Sequence, residues 1–152
     1  MKALVKTLLL LCLILAAAAA PASAPGAVSC HKINAKGVGQ DLGGGMTTAN
    51  IIGGGLLQGT TEASFVITGF SGTLASFTGT IVFTVNNATL TAGVDGTFDV
   101  VSGAFNATTS SVAGTGKLAG ATGSLSFNGV EDLSDGSFTE DVTGEACVDL
   151  SP

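Results

Sequence analysis

Glu131 and Glu140 are the residues of this chain best placed to do chemistry. Over residues 124–133 the apolar alternate positions are Leu125, Phe127, Gly129 and Leu133, and Glu131 falls in the same phase. Over residues 138–150 the set is Phe138, Val142, Gly144, Ala146 and Val148, and Glu140 falls among them. A residue in phase with the apolar face of a strand points to the core side of a sheet. Ser134-Asp135-Gly136, between the two segments, has the composition of a tight turn, so both carboxyls are expected near one rim. Partly buried like charges raise at least one pKa, and such a pair can work as acid and base. The alternative is two solvated glutamates at strand ends, because a bulge would reverse the phase. His31, in phase with Ile33 and Ala35, would join them if the first strand closes beside the last.

Other constellations are thin. The chain has a single histidine and no Gly-x-Ser-x-Gly element, so no Ser-His-Asp arrangement is expected. Lys117 is followed by Leu118 where a phosphate loop needs Ser or Thr with a helix behind it. Glu131, Asp132, Asp135, Glu140, Asp141, Glu145 and Asp149 place seven of the eleven acids in nineteen residues. Their spacing fits no EF-hand loop or calcium-binding nonapeptide, so a solvated acidic face, without metal or cofactor, is the expectation.

The elements that hold these residues follow an N-terminal export signal. Lys2 and Lys6 precede a continuous apolar run over residues 8–20, and a small-residue, Pro-interrupted stretch follows over residues 21–27. That is the layout of a cleaved secretory signal, assigned to residues 1–24 with cleavage between 20 and 28. A secreted single domain over residues 28–152 remains. It keeps Lys32, Lys36 and Lys117 against all eleven carboxylates, so the formal charge moves from -6 to -8. With no Arg and so little basic surface, nucleic acid and anionic membranes are not expected partners. Cys30 and Cys147 survive processing, and in an exported chain an even pair reads as a disulfide, with two free thiols as the alternative. Asn87 and Asn106 match glycosylation sequons, which matter only in a eukaryotic host.

Periodicity then supplies the fold class. Over residues 75–85 the odd positions are Ala75, Phe77, Gly79, Ile81, Phe83 and Val85, and the even ones are Ser76, Thr78, Thr80, Val82 and Thr84. A period of two with one polar face is a half-buried antiparallel strand. It returns at Leu90, Ala92, Val94, Gly96, Phe98 and Val100, with Asn86-Asn87 as the hairpin turn between the two. Weaker alternation covers residues 31–39, 47–52, 63–70, 103–109, 124–133 and 137–150. Roughly seven or eight strands with no helical period indicate an all-β barrel or sandwich. Seven of the eight phenylalanines are expected inside, with Phe70 out of phase. Glycines within strands suit the tight curvature of a barrel.

Residues 114–123, Gly-Thr-Gly-Lys-Leu-Ala-Gly-Ala-Thr-Gly, resemble the GGTGRFxGAxG-type segment of the allene oxide cyclase and dirigent barrel superfamily. Ala113 stands where that segment has its first Gly, and Leu118 where it has Phe. Gly-Leu-Leu-Gln-Gly-Thr-Thr over residues 55–61 and Asn-Ala-Thr-Leu-Thr over residues 87–91 resemble two further stretches of that superfamily. The resemblance spans roughly residues 30–150 and implies an eight-stranded antiparallel barrel with a central cavity; a β-sandwich or solenoid is the alternative. It carries over no catalytic residue.

Three functions are expected in order. The first is a secreted, non-catalytic barrel holding a small apolar ligand between its phenylalanines. The second is an isomerase or stereochemistry-directing protein of the cyclase and dirigent kind, which would need Glu131 or Glu140 to line a pocket. The third is a structural or surface-binding protein presenting Thr-x-Thr pairs such as Thr78/Thr80 and Thr89/Thr91.

Overall fold

A computed structural model describes residues 27–149, so the expected export signal and its cleavage region up to residue 26 lie outside the described residues. Eight strands follow one another in chain order: β1 (Ser29–Gly43), β2 (Met46–Gly53), β3 (Gly59–Ser71), β4 (Leu74–Val85), β5 (Ala88–Asp99), β6 (Ala104–Gly114), β7 (Thr122–Glu131) and β8 (Ser137–Val148). Each pairs antiparallel with the next and β8 returns to β1, closing the barrel. The sandwich and solenoid alternatives are thereby replaced by a barrel with no free sheet edge.

The alternation read in the sequence sets the two faces of the wall. In β4, Ala75, Ile81, Phe83 and Val85 are buried, while Ser76, Thr78 and Thr84 are exposed. β1 behaves alike, with Ile33, Ala35 and Gly37 inside and Lys32, Asn34, Lys36 and Val38 outside. Inside-facing apolar residues meet in one cluster that includes Ile33, Phe83, Leu90, Val94, Phe127 and Val142. The Phe83 and Phe127 rings lie 6.2 Å apart in it. Phe70 is 70% exposed, in keeping with its phase.

The two ends of the barrel differ. At one end, short 3-10 turns (Gly55–Leu57 and Gly116–Leu118) join β2 to β3 and β6 to β7. Both use a Gly-x-Leu triplet, and both leucines, Leu57 and Leu118, are completely buried. They act as plugs that seal the core at this end. The Gly-rich stretch over residues 114–123 thus serves as an end cap. The Asn86-Asn87 hairpin also lies here, with Asn86 at φ 53°. At the opposite end the β1–β2, β3–β4, β5–β6 and β7–β8 hairpins leave the barrel open.

The seam between β1 and β8 is stapled. Cys30 stands directly opposite Cys147 and the two form a disulfide, with Cα atoms 3.9 Å apart. Lys36 and Asp141, also paired across this seam, form an exposed ion pair on the outside.

Of the boundaries that differ from the sequence reading, the end of β7 lies nearest the candidate residues. β7 ends at Glu131, and Leu133 lies in the following turn. The Asp132 carboxylate accepts hydrogen bonds from the Ser134 amide and hydroxyl, and the Asp132 carbonyl accepts one from the Gly136 amide. These local bonds compete with strand pairing and close the turn two residues early.

Candidate functional site

The open end of the barrel is a cup of about 280 Å³. One or more side chains from every strand line it: Phe65, Phe77, Phe98 and Phe105 from β3 to β6, Glu131 from β7, Phe138 and Glu140 from β8, Asp41 from β1 and Thr47 from β2. Leu133 of the β7–β8 turn reaches in at the mouth, and Ile81 lies deeper, next to the sealed core. Exposed apolar side chains crown the hairpins around the mouth, among them Leu42, Phe70, Val101 and Leu133.

Cross-strand pairing explains how a narrow barrel accommodates these rings. Phe138 stands opposite Gly39, Phe65 opposite Gly79, Phe77 opposite Gly96 and Phe105 opposite Gly129. In each case a Cβ on the glycine would collide with the facing ring; at Gly96 it would stand 2.6 Å from Phe77 Cζ. The rings therefore lie flat across bare backbone, which clears the axis of the barrel. Phe65 and Phe77 meet edge to face at 5.1 Å, and Phe105 and Phe138 do so at 5.9 Å. Such contacts hold aromatic rings in one orientation.

Glu140 follows the same construction with a carboxylate in place of a ring. Its neighbours in the ladder are glycines on both sides, Gly37 of β1 and Gly129 of β7. Its side chain lies over Gly37, where a Cβ would stand 2.6 Å from Glu140 Cγ and Oε1. Phe138 precedes it on the same face toward the mouth, and fully buried Val142 follows it toward the core. Glu140 accepts no hydrogen bond among the described residues, and burial pushes its carboxyl up to about 7. Without a donor or cation to offset lost hydration, the neutral acid is favoured.

Glu131 is the diagonal neighbour of Glu140, since it pairs with Phe138 while Glu140 pairs with Gly129. Diagonal positions on one face lie roughly 7 to 8 Å apart. Its carboxyl is raised from the ordinary value, first by burial and then by the charge of Asp41. Both sequence-identified glutamates thus line one cavity. Asp41 makes a third carboxylate there; the alternation over residues 31–39 stops short of it, whereas β1 continues to Gly43 and carries the phase of Ile33, Ala35, Gly37 and Gly39 on to it.

His31 does not join them. β1 closes beside β8 as required, but His31 pairs with Ala146 near the disulfide, six residues along β1 from Gly37. At about 3.3 Å per residue that is roughly 20 Å from Glu140. Its Nε2 is buried there without a hydrogen-bond partner.

Among the described residues, one group of three His, Cys, Asp or Glu side chains brings its ligand atoms within 4.8 Å of one another: Cys30, Glu145 and Cys147. Two of these are consumed by the disulfide, which leaves no thiolate for a metal. No helix among the described residues is long and apolar enough to cross a membrane. The chain matches no protein-family model, no curated protein and no solved structure.

Proposed function

We propose that this is a secreted, non-catalytic barrel that binds a small, largely apolar molecule in the phenylalanine-lined cup. The single observation that carries the reading is the cup itself: aromatic rings laid flat on glycines keep an apolar cavity open at one end of an otherwise packed core. Packing alone would favour filling that space, because voids forfeit dispersion contacts. Ligand sites are typically concave and apolar with a few converging polar groups, and about 280 Å³ lies just below the roughly 300 Å³ at which their range begins, which suits a small molecule. The apolar crown around the mouth suits the entry of a poorly hydrated molecule. Secretion agrees with the N-terminal signal pattern and with a disulfide, which persists in oxidising compartments.

The test is a titration of ¹³C-phenylalanine-labelled protein with 2-phenylethanol, followed by NMR. Saturable shifts of Phe65, Phe77, Phe98, Phe105 and Phe138, with Phe83 and Phe127 unmoved, are expected. Absence of any saturable shift in the cup, with this alcohol and with charged analogues of the same size, overturns the reading.

The environment of Glu140 favours a second reading. A carboxyl whose pKa sits near 7, beside a second raised carboxyl, is suited to proton transfer at neutral pH. This supports an isomerase or stereochemistry-directing role of the kind implied by the resemblance to the allene oxide cyclase and dirigent superfamily. The Thr-x-Thr faces support a surface-binding role less well, since they wrap a closed barrel, whose strands must tilt, instead of a flat array.

A further inference from the structure

We propose that the cup selects an organic cation, a small amine carried as its ammonium, between an aromatic wall from β3 to β6 and a carboxyl wall from β7, β8 and β1. The proposal rests on the reading of the cup as a ligand site and names the class of molecule that site takes.

The lining divides by strand. Phe65, Phe77, Phe98 and Phe105 come from four consecutive strands, one ring each. Glu131, Glu140 and Asp41 come from the next three, with Phe138 among them. Among the described residues no lysine, arginine or histidine lines the cavity. The face of a phenyl ring carries negative potential and attracts cations within about 6 Å of its centroid. A carboxylate carries a full negative charge, so both walls favour the same sign of ligand. An anionic head group, such as a fatty-acid carboxylate, would meet like charge on one wall and no cation on the other. A neutral hydrocarbon would satisfy the rings but further desolvate the carboxyls of Glu131 and Glu140, which accept no hydrogen bond among the described residues. An ammonium satisfies both walls, supplying donors to the carboxylates and charge to the rings.

A metal ion fits poorly. Ca²⁺ takes six to eight oxygen ligands, whereas nine of the fifteen residues of this lining carry hydrocarbon side chains. The three carboxylates are also not among the described groups that converge within 4.8 Å.

The charge state of the wall gives the binding a pH dependence. The titratable groups facing Glu140 are Glu131 on β7 and Asp41 on β1, and no acid or base stands in the cup on the β3 to β6 side. Glu140 is held up to about 7 by burial, and Glu131 is raised by burial and by Asp41. A bound ammonium favours the ionised carboxylates, so binding releases protons and strengthens as pH rises through this range.

The experiment titrates the ¹³C-phenylalanine-labelled full chain with three molecules of similar size: 2-phenylethylammonium, 2-phenylethanol and 3-phenylpropionate. At about pH 8, above the value of about 7 to which burial holds Glu140, the ammonium is expected to bind roughly tenfold more tightly than the alcohol. The propionate is expected to give no saturable shift. The advantage of the ammonium should shrink at about pH 5 and in Glu140→Gln, with Glu131→Gln as a second variant for the same loss. If the alcohol binds as tightly as the ammonium, or if neither substitution reduces the preference, the cation proposal is overturned and the apolar site stands. If none of the three moves the cup phenylalanines, both readings are overturned.

Discussion

Glu140 lies across Gly37, its direct partner on β1, so closely that a single methyl group on the glycine would overlap both Cγ and Oε1 of the glutamate. The same relation of side chain over glycine holds Phe65, Phe77, Phe105 and Phe138 of the cup in place, while Phe98 pairs with Ala75 and Phe105. It makes the position of the carboxyl a property of two strands at once, so the pair is expected to behave as a coupled unit.

Gly37→Ala should therefore displace the Glu140 side chain or the seam itself and lower stability by about 1 to 3 kcal/mol, the usual cost of overpacking. In a Glu140→Ala background the same glycine substitution should cost much less. Urea denaturation of the four proteins of this double-mutant cycle measures the coupling. Strictly additive effects would show that the two side chains do not share the space.

Stability should fall as pH rises through the range set by Glu140. Its folded pKa, about 7, exceeds the ordinary 4.5, so the folded protein binds the extra proton. The contribution is fully present below about pH 4.5, is lost as pH rises to about 7, and is flat beyond. Its size is on the order of 3 kcal/mol, the full rise from 4.5 to about 7. Glu140→Gln should match the wild type near pH 4, exceed its stability at pH 8 and flatten the profile between. Thermal unfolding across this range measures it, and an unchanged profile in Glu140→Gln would assign the dependence elsewhere. At the acid end, Asp99 and Asp132 are lowered chiefly by hydrogen bonds, Asp99 from the Val101 and Ser102 amides and Asp132 from the Ser134 hydroxyl and amide. Their contribution runs the other way, present above about 3.8 and lost as pH falls through their folded values.

Reduction of the Cys30–Cys147 bond should destabilise the barrel strongly. The bond spans 117 residues, and closing a loop of that length restricts the unfolded chain by roughly 5 kcal/mol in the entropic treatment, with 2 to 5 kcal/mol the range usual for native disulfides. The paired double variant Cys30→Ser/Cys147→Ser, compared with oxidised protein by urea denaturation, provides the measurement. A difference below about 1 kcal/mol would mean that the β1–β8 ladder alone holds the ends together.

The end plugs should matter more than the outer rings. Leu118→Ala and Leu57→Ala each remove a fully buried side chain and should cost about 2 to 5 kcal/mol. Phe70→Ala removes a ring that is 70% exposed and should change stability by less than about 0.5 kcal/mol. Equilibrium unfolding of the three variants separates the two classes, and a costly Phe70→Ala would contradict its placement outside the barrel.

Much of this arrangement was legible in the chain because a β-strand has only two faces. The alternation of residues 75–85 and 90–98 assigns inside and outside without any knowledge of partners, and the same parity places Glu131 and Glu140 with the apolar set; Val100, in phase but past the end of β5, is exposed. Asp41 was missed because the Gly-rich stretch after Gln40 looks like a loop, whereas β1 runs on to Gly43. The glycine and ring pairs were invisible for a different reason: which glycine faces which phenylalanine depends on register between strands, and alternation within one strand says nothing about register. The Gly-x-Leu plugs read as loop punctuation, since a three-residue 3-10 turn has no period of its own. His31 shows the converse limit, because correct phase and correct strand order still left its position along the strand undetermined.

A crystal structure of the oxidised protein, with the density inside the open end read between Phe65, Phe77, Phe98, Phe105 and Phe138, would weigh most heavily. An open cup with an organic molecule against the rings and in contact with Glu140 is the expected result. A cup filled by its own collapsed side chains, with Glu140 and Glu131 turned out to solvent, would contradict both the ligand site and the acid–base reading.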